Sequence, residues 1–167
     1  SPVERRHRRD GGPQHRVRAN GIPNRADVIA RLDREGLLPT ITFIFRRVGC
    51  DAAVRQCVRS ELRLTDQPGR AEIARIAAER TSKLSAEDLQ ALGYWEWLEG
   101  LMRGFAAHHA GMLPVFKEVV EELFVAGLVK AVFATETLAL GINMPARSVV
   151  LERLVKLLPG HHTVLNG

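Results

Sequence analysis

Three short segments hold residue types suited to contact with phosphate and sugar. TITFIFRR, residues 40–47, ends an apolar run on Arg46 and Arg47, whose guanidinium forks match phosphate oxygens. AAHHAGMLP, residues 106–114, sets His108 and His109 ahead of Gly111 and Pro114. A strand turning into a helix there would present free backbone N–H groups, which favour an anion. FATETLALGINMPA, residues 133–146, places Thr135 and Thr137 at the end of an apolar stretch, where a hydroxyl can donate to phosphate or accept from an amide. In the same segment Gly141 permits close backbone approach or positive φ, and the Asn143 carboxamide suits a ribose hydroxyl. Each segment alone has a plainer reading: solvated arginines, structural histidines in a turn, a buried strand that Pro145 stops.

Other chemistries fit less well. Neighbouring side chains on a strand point to opposite faces, so His108 and His109 cannot share one ligand. No Cys, Asp or Glu stands near them in sequence to complete a metal site, and no metal is expected. No Ser or Cys nucleophile is matched to a histidine and an acid. The chain has no G-x-x-x-x-G-K-[ST] loop, no Asp-Glu box for Mg²⁺ and no paired-arginine finger. The isolated chain is therefore expected to hydrolyse no ATP.

The elements that must position these residues follow from apolar patterning. Ile41–Phe45 is a continuous apolar run that predicts a strand buried on both faces. VIARL suggests a short helix from near Asp27 to Gly36, and Asp51 suits the N-cap of a helix running to about Leu64. Ala71–Arg80, Ser85–Leu92 and Tyr94–Met102 read as three further helices, with Leu84, Leu89, Leu92, Trp95, Leu98 and Met102 as their apolar stripe. Phe105–His108 is a strand, and Pro114–Ala126 is the clearest helix, with Pro114 in its first turn and Gly127 at its C-terminal end. Val129–Ala134 and Ser148–Leu151 complete the strands. Strand and helix in alternation predict an α/β fold with a doubly wound parallel sheet.

The 167 residues suffice for one core, and no apolar run approaches the roughly 18–20 residues of a membrane span, so no membrane is expected. The net charge of +5 is unevenly placed. Residues 1–25 hold seven arginines against Glu4 and Asp10, and the remainder balances at 17 basic and 17 acidic residues. Residues 1–24, arginine-rich and broken by Gly11, Gly12, Pro13, Gly21 and Pro23, read as a basic disordered linker or as an arm touching nucleic-acid phosphates. Cys50 and Cys57 would lie about 10 Å apart along one helix, too far for a bridge, which suits a reduced, cytoplasmic protein.

Taken in order and at these separations, the three segments resemble motif IV, the HHAG segment and motif V of the second RecA-like lobe of superfamily-two DExH helicases, within the Ski-two-like group. The resemblance runs from about Arg25 to about Lys156. Motif IV is usually a Ser followed by an Arg; Arg47 matches the Arg, and Arg46 stands where the Ser would be. The resemblance implies a RecA-like sheet flanked by helices, with a helical insertion. It also implies nucleic-acid-binding roles for Arg47, His109, Gly111, Thr135 and Thr137, and nucleotide sensing by Gly141 and Asn143. In such a parent, ATP and Mg²⁺ are held mainly by a first RecA-like lobe of the same polypeptide, and the two lobes close on single-stranded RNA or DNA. The lobe would cover residues 25–156. Residues 157–167 show no clean pattern and read as a truncated or irregular tail, ahead of the glutamine- and arginine-rich motif VI toward which the family continues. The rival is a non-catalytic α/β adaptor that binds protein through its helical face.

Overall fold

The first helix is set by a side chain rather than by an apolar run. Asn24 places its carboxamide oxygen 2.9 and 3.3 Å from the amides of Ala26 and Asp27, satisfying donors that open the helix α1, Arg25–Arg34. A computed structural model of the chain describes residues 24–135, 144–152, 154–158 and 161–165. The basic segment 1–23 and the candidate residues Thr137, Gly141 and Asn143 lie outside the described residues.

After α1 come β1 (Thr40–Phe43), α2 (Arg47–Arg59), α3 (Gln67–Arg80), α4 (Ala86–Ala91) and α5 (Tyr94–Arg103). Then follow β2 (Phe105–His108), α6 (Pro114–Val125), β3 (Ala131–Ala134) and β4 (Ser148–Leu151). These four strands form one parallel sheet in the order β2-β3-β1-β4. Helices α1 and α2 cover one face, where Ile29, Cys50, Ala53 and Cys57 meet Phe105, Ala107 and Phe133. Helices α3, α5 and α6 cover the other, where Ile73, Leu101, Val120 and Leu123 meet Ala106, Val132 and Ala134. Phe105, Phe124 and Phe133 are fully buried, and each such side chain contributes about 1.5–3 kcal/mol. The expected α/β RecA-like sheet, with helices on both faces and a helical segment between β1 and β2, is what the chain forms.

Several boundaries differ from the expected ones, each for a local reason. Helix α2 starts at Arg47, not after Asp51, and ends at Arg59, not near Leu64. Arg46 occupies the N-cap position with no side-chain cap bond, so Asp51 lies one turn inside the helix and is released for another partner. Helix α3 starts four residues earlier than expected, because Asp66 accepts from the Gly69 amide at 2.8 Å and Pro68 fits the first turn. Phe45 is 57% exposed, since β1 ends at Phe43 and the chain has already turned outward. The proposed stripe through α4 and α5 is broken: Gly93, at φ 72°, resets the helical phase, so Trp95 is 69% exposed while Tyr94 and Leu101 turn inward. Leu154–Leu158 (β5) and His161–Leu165 (β6) pair as a two-stranded antiparallel sheet.

Arg25, the first residue of α1, is tied into the fold. Its Nε and Nη2 donate to the Glu152 carboxylate at 2.5 and 2.8 Å, and its Nη1 donates to Gln56 Oε1 at 3.1 Å. Arg25 and Glu152 are only 10% and 17% exposed, so this forked ion pair joins the start of α1 to the end of β4. Its hydrogen bonds to Glu152 push the guanidinium pKa up, against the opposing effect of burial.

Cys50 and Cys57 are both fully buried on α2. Burial pushes the Cys50 thiol up to about 12, and only the thiolate is nucleophilic. At pH 8 about one Cys50 in ten thousand is therefore ionised. Titration of the folded chain with a disulfide reagent should give no rapid reaction, with both thiols reacting once denaturant is added. Prompt labelling of the native chain at Cys50 would show that its packing opens readily.

Candidate nucleic-acid interface

Because the sheet is parallel, the C-terminal ends of β1, β2, β3 and β4 share one rim, the position at which open α/β sheets bind ligands. In register, Phe43 stands beside Ala134 and Leu151, and Ala134 beside His108. Just beyond β1, the Ile44 amide donates to Ala134 O at 2.8 Å. The chain then lifts off the sheet, leaving Arg46 and Arg47 exposed. Neither arginine enters an ion pair among the described residues, so two uncompensated cations stand on the rim.

β2 delivers the two histidines to opposite faces, as strand alternation requires. His108 Nε2 lies 2.7 Å from Glu121 Oε1 on α6. His109 turns the other way and places Nε2 3.0 and 3.2 Å from the two Asp51 oxygens on α2. Its second ring nitrogen, Nδ1, accepts from the Gly111 amide at 3.0 Å. The His109 ring is buried at 6% exposure, and both of its nitrogens are engaged within the fold. Ala110 and Gly111 are exposed, and the Met112 amide closes the turn on His109 O at 3.2 Å. Pro114 then opens α6.

The turn leaves little room for a side chain. A Cβ at Gly111 would sit 3.1 Å from both Cε1 and Nδ1 of His109, and 3.6 Å from Arg47 Cδ. That measurement brings Arg47, far away in sequence, into a single patch with His109 and Gly111. Thr135, one residue past β3 and half-buried, donates its amide to His108 O at 3.4 Å. Its hydroxyl-bearing side chain thus starts from the same rim, one strand away.

Sequence reasoning missed Asp51, assigning it to the helix start; nothing local could reveal a partner 58 residues away. It also denied the histidines any carboxylate neighbour, whereas the fold gives each one. These remain two separate pairs on opposite faces. Among the described residues no group of three or more His, Cys, Asp or Glu side chains could hold a metal ion. Beside the rim, α2 and α5 diverge from a close point at which a Cβ on Gly100 would meet Val54 Cγ1 at 2.8 Å. The groove between them has a volume of about 690 Å³, and Asp51, Arg55, Trp97, His109 and Met112 are among its lining residues.

No protein-family model matches the chain. Curated relatives do. The chain is 65% identical over 153 residues to "Probable helicase HelY" of Mycobacterium tuberculosis, an alignment covering 87% of this chain and 17% of that protein. To human "Superkiller complex protein 2" it is 38% identical over 148 residues, covering 84% of this chain and 12% of that protein. An Arabidopsis thaliana protein named as a chloroplastic DExH-box ATP-dependent RNA helicase is 43% identical over 146 residues, covering 85% and 12%. The chain is a segment of the Ski-two-like DExH helicase family. It spans about one sixth of the length of the HelY relatives it matches. Among the described residues no helix of this family segment is long and apolar enough to cross a membrane.

Proposed function

We propose that this chain is the second RecA-like lobe of an ATP-dependent helicase, and that its rim holds the backbone of single-stranded RNA or DNA. The observation that carries the reading is the convergence of Arg47, which enters no ion pair among the described residues, with Gly111, where an added Cβ would lie 3.6 Å from Arg47 Cδ, on the rim from which Thr135 also rises. Arg47 supplies the charge-assisted fork to a phosphate oxygen. Gly111, exposed and without a side chain, lets a sugar–phosphate chain lie against the turn. Thr135 supplies a hydroxyl from the neighbouring strand, and Thr137 adds a second. His109, with both nitrogens satisfied internally, acts by holding that turn in shape. Gly141 and Asn143, further along the segment that begins with Thr135, face the nucleotide and couple its state to grip on the strand. ATP and Mg²⁺ are held chiefly by the first RecA-like lobe, which supplies the phosphate loop and metal-binding carboxylates that this sequence lacks. The lobes close on the strand when ATP binds and part after hydrolysis.

The test uses the full-length helicase. Arg47→Ala should weaken single-stranded RNA binding about tenfold, the loss of one charge-assisted contact worth roughly 1.5–3 kcal/mol. The slope of log affinity against log salt should fall by about one. Thr135→Ala should depress strand separation and nucleic-acid-stimulated ATP hydrolysis together, without earlier melting. Unaltered affinity and salt slope in a well-folded Arg47→Ala enzyme would remove the rim from the binding path.

A further inference from the structure

We propose that Asp51 is a positioning residue: it orients His109 so that the imidazole holds the Gly111 amide, and it ties α2 to the turn that the strand crosses. This rests on the reading of the rim as a nucleic-acid contact. Donor and acceptor roles fix the tautomer of the ring. A backbone N–H can only donate, so the 3.0 Å contact from Gly111 requires a lone pair on His109 Nδ1. A neutral imidazole then carries its proton on Nε2, where the Asp51 carboxylate accepts it at 3.0 and 3.2 Å. The ring is buried against Gly111 and fixed at both ends. Without Asp51, Nε2–H loses its fixed acceptor and is left to water of the adjoining groove, so the ring is no longer held in one orientation. That release loosens the hold on the Gly111 amide.

Helical spacing extends the effect to the cation. Arg47 and Asp51 are four residues apart on α2, and thus on one face. The Asp51–His109 bond therefore sets the first turn of α2 against the glycine turn, and with it the proximity of Arg47 to Gly111. Asp51 is also 46% exposed, so its charge reaches the rim as well as its hydrogen bond.

These two properties make opposite forecasts. A carboxylate beside a phosphate path repels it, so if charge alone mattered, any neutral replacement of Asp51 would tighten binding. If orientation matters, Asp51→Ala should weaken single-stranded RNA binding by the full-length helicase, by about fivefold or more. Asp51→Asn, whose carboxamide oxygen still accepts from Nε2–H, should restore or exceed the original affinity. The second measurement needs no nucleic acid: exchange of the Gly111 amide in the 167-residue chain, with ¹⁵N signals of the His109 ring. Protection of Gly111 should persist in Asp51→Asn and fall in Asp51→Ala, with loss of the acceptor signature at Nδ1. Tighter binding by Asp51→Ala, or unchanged Gly111 protection in it, would overturn the assignment. If instead Gly111 protection follows the proposal while RNA affinity ignores Asp51, Arg47 and Gly111 alike, the turn is held as described and the rim reading is what fails.

Discussion

Replacing Arg25 with alanine is expected to destabilise the chain by about 3–5 kcal/mol, the cost of leaving one member of a largely buried ion pair without its partner. Glu152, 17% exposed, would keep its charge but lose both nitrogens of the fork, and Gln56 would lose its donor. For a chain of this length about 1 kcal/mol corresponds to roughly 2–4 °C in melting temperature, so a fall of about 10 °C is the expected scale. The pair itself need not be net stabilising, because removing two charges from water is costly. Arg25→Met combined with Glu152→Leu should therefore recover much of what Arg25→Ala loses. Calorimetry of the two variants decides the matter: a drop below about 1 kcal/mol for Arg25→Ala would place the pair among screened surface contacts.

Gly111→Val should weaken single-stranded nucleic-acid binding by the full-length helicase about tenfold to a hundredfold, or about 1.4–2.7 kcal/mol. The reason is space. Its Cβ would start 3.1 Å from the His109 ring and 3.6 Å from Arg47 Cδ, and the two γ-methyls would add bulk on the proposed path of the sugar–phosphate chain. The ring, Arg47 and the ligand cannot all keep their places. Because residue 111 is exposed, stability should suffer less, by about 1 kcal/mol and a few degrees. Gly111→Ala should give an intermediate loss. Equal affinity for the wild type and Gly111→Val, measured by anisotropy on a labelled oligonucleotide, would show that the strand does not cross this turn.

The fold was legible where signals were local. β2, β4 and α6 lie within one residue of their expected bounds because apolar patterning, Pro114 and Gly127 mark them directly. The start of α3 was less legible: Asp66, Pro68 and Gly69 read as loop residues until the aspartate oxygen is seen on the Gly69 amide. α4 and α5 read as separate helices that share one apolar stripe, and the turn at Gly93 sets their faces out of phase. At the candidate site, residue types identified Arg47, His109 and Gly111, and the fold brings them together. What no spacing rule could supply was pairing across the chain, as in Asp51 with His109 or Arg25 with Glu152, 127 residues apart.

The opposed histidines also guard against misassembly. β2 lies at the edge of the sheet among the described residues, and two of its four residues, Ala106 and Ala107, are too small to distinguish one alignment with β3 from the next by shape. A slip of one residue turns every side chain onto the other face. His108 would then leave Glu121 and His109 would leave Asp51, stranding two buried imidazoles at about 1–3 kcal/mol each. The two carboxylates, on helices from opposite layers, thus read the strand like a two-sided key, and only one alignment turns in both locks.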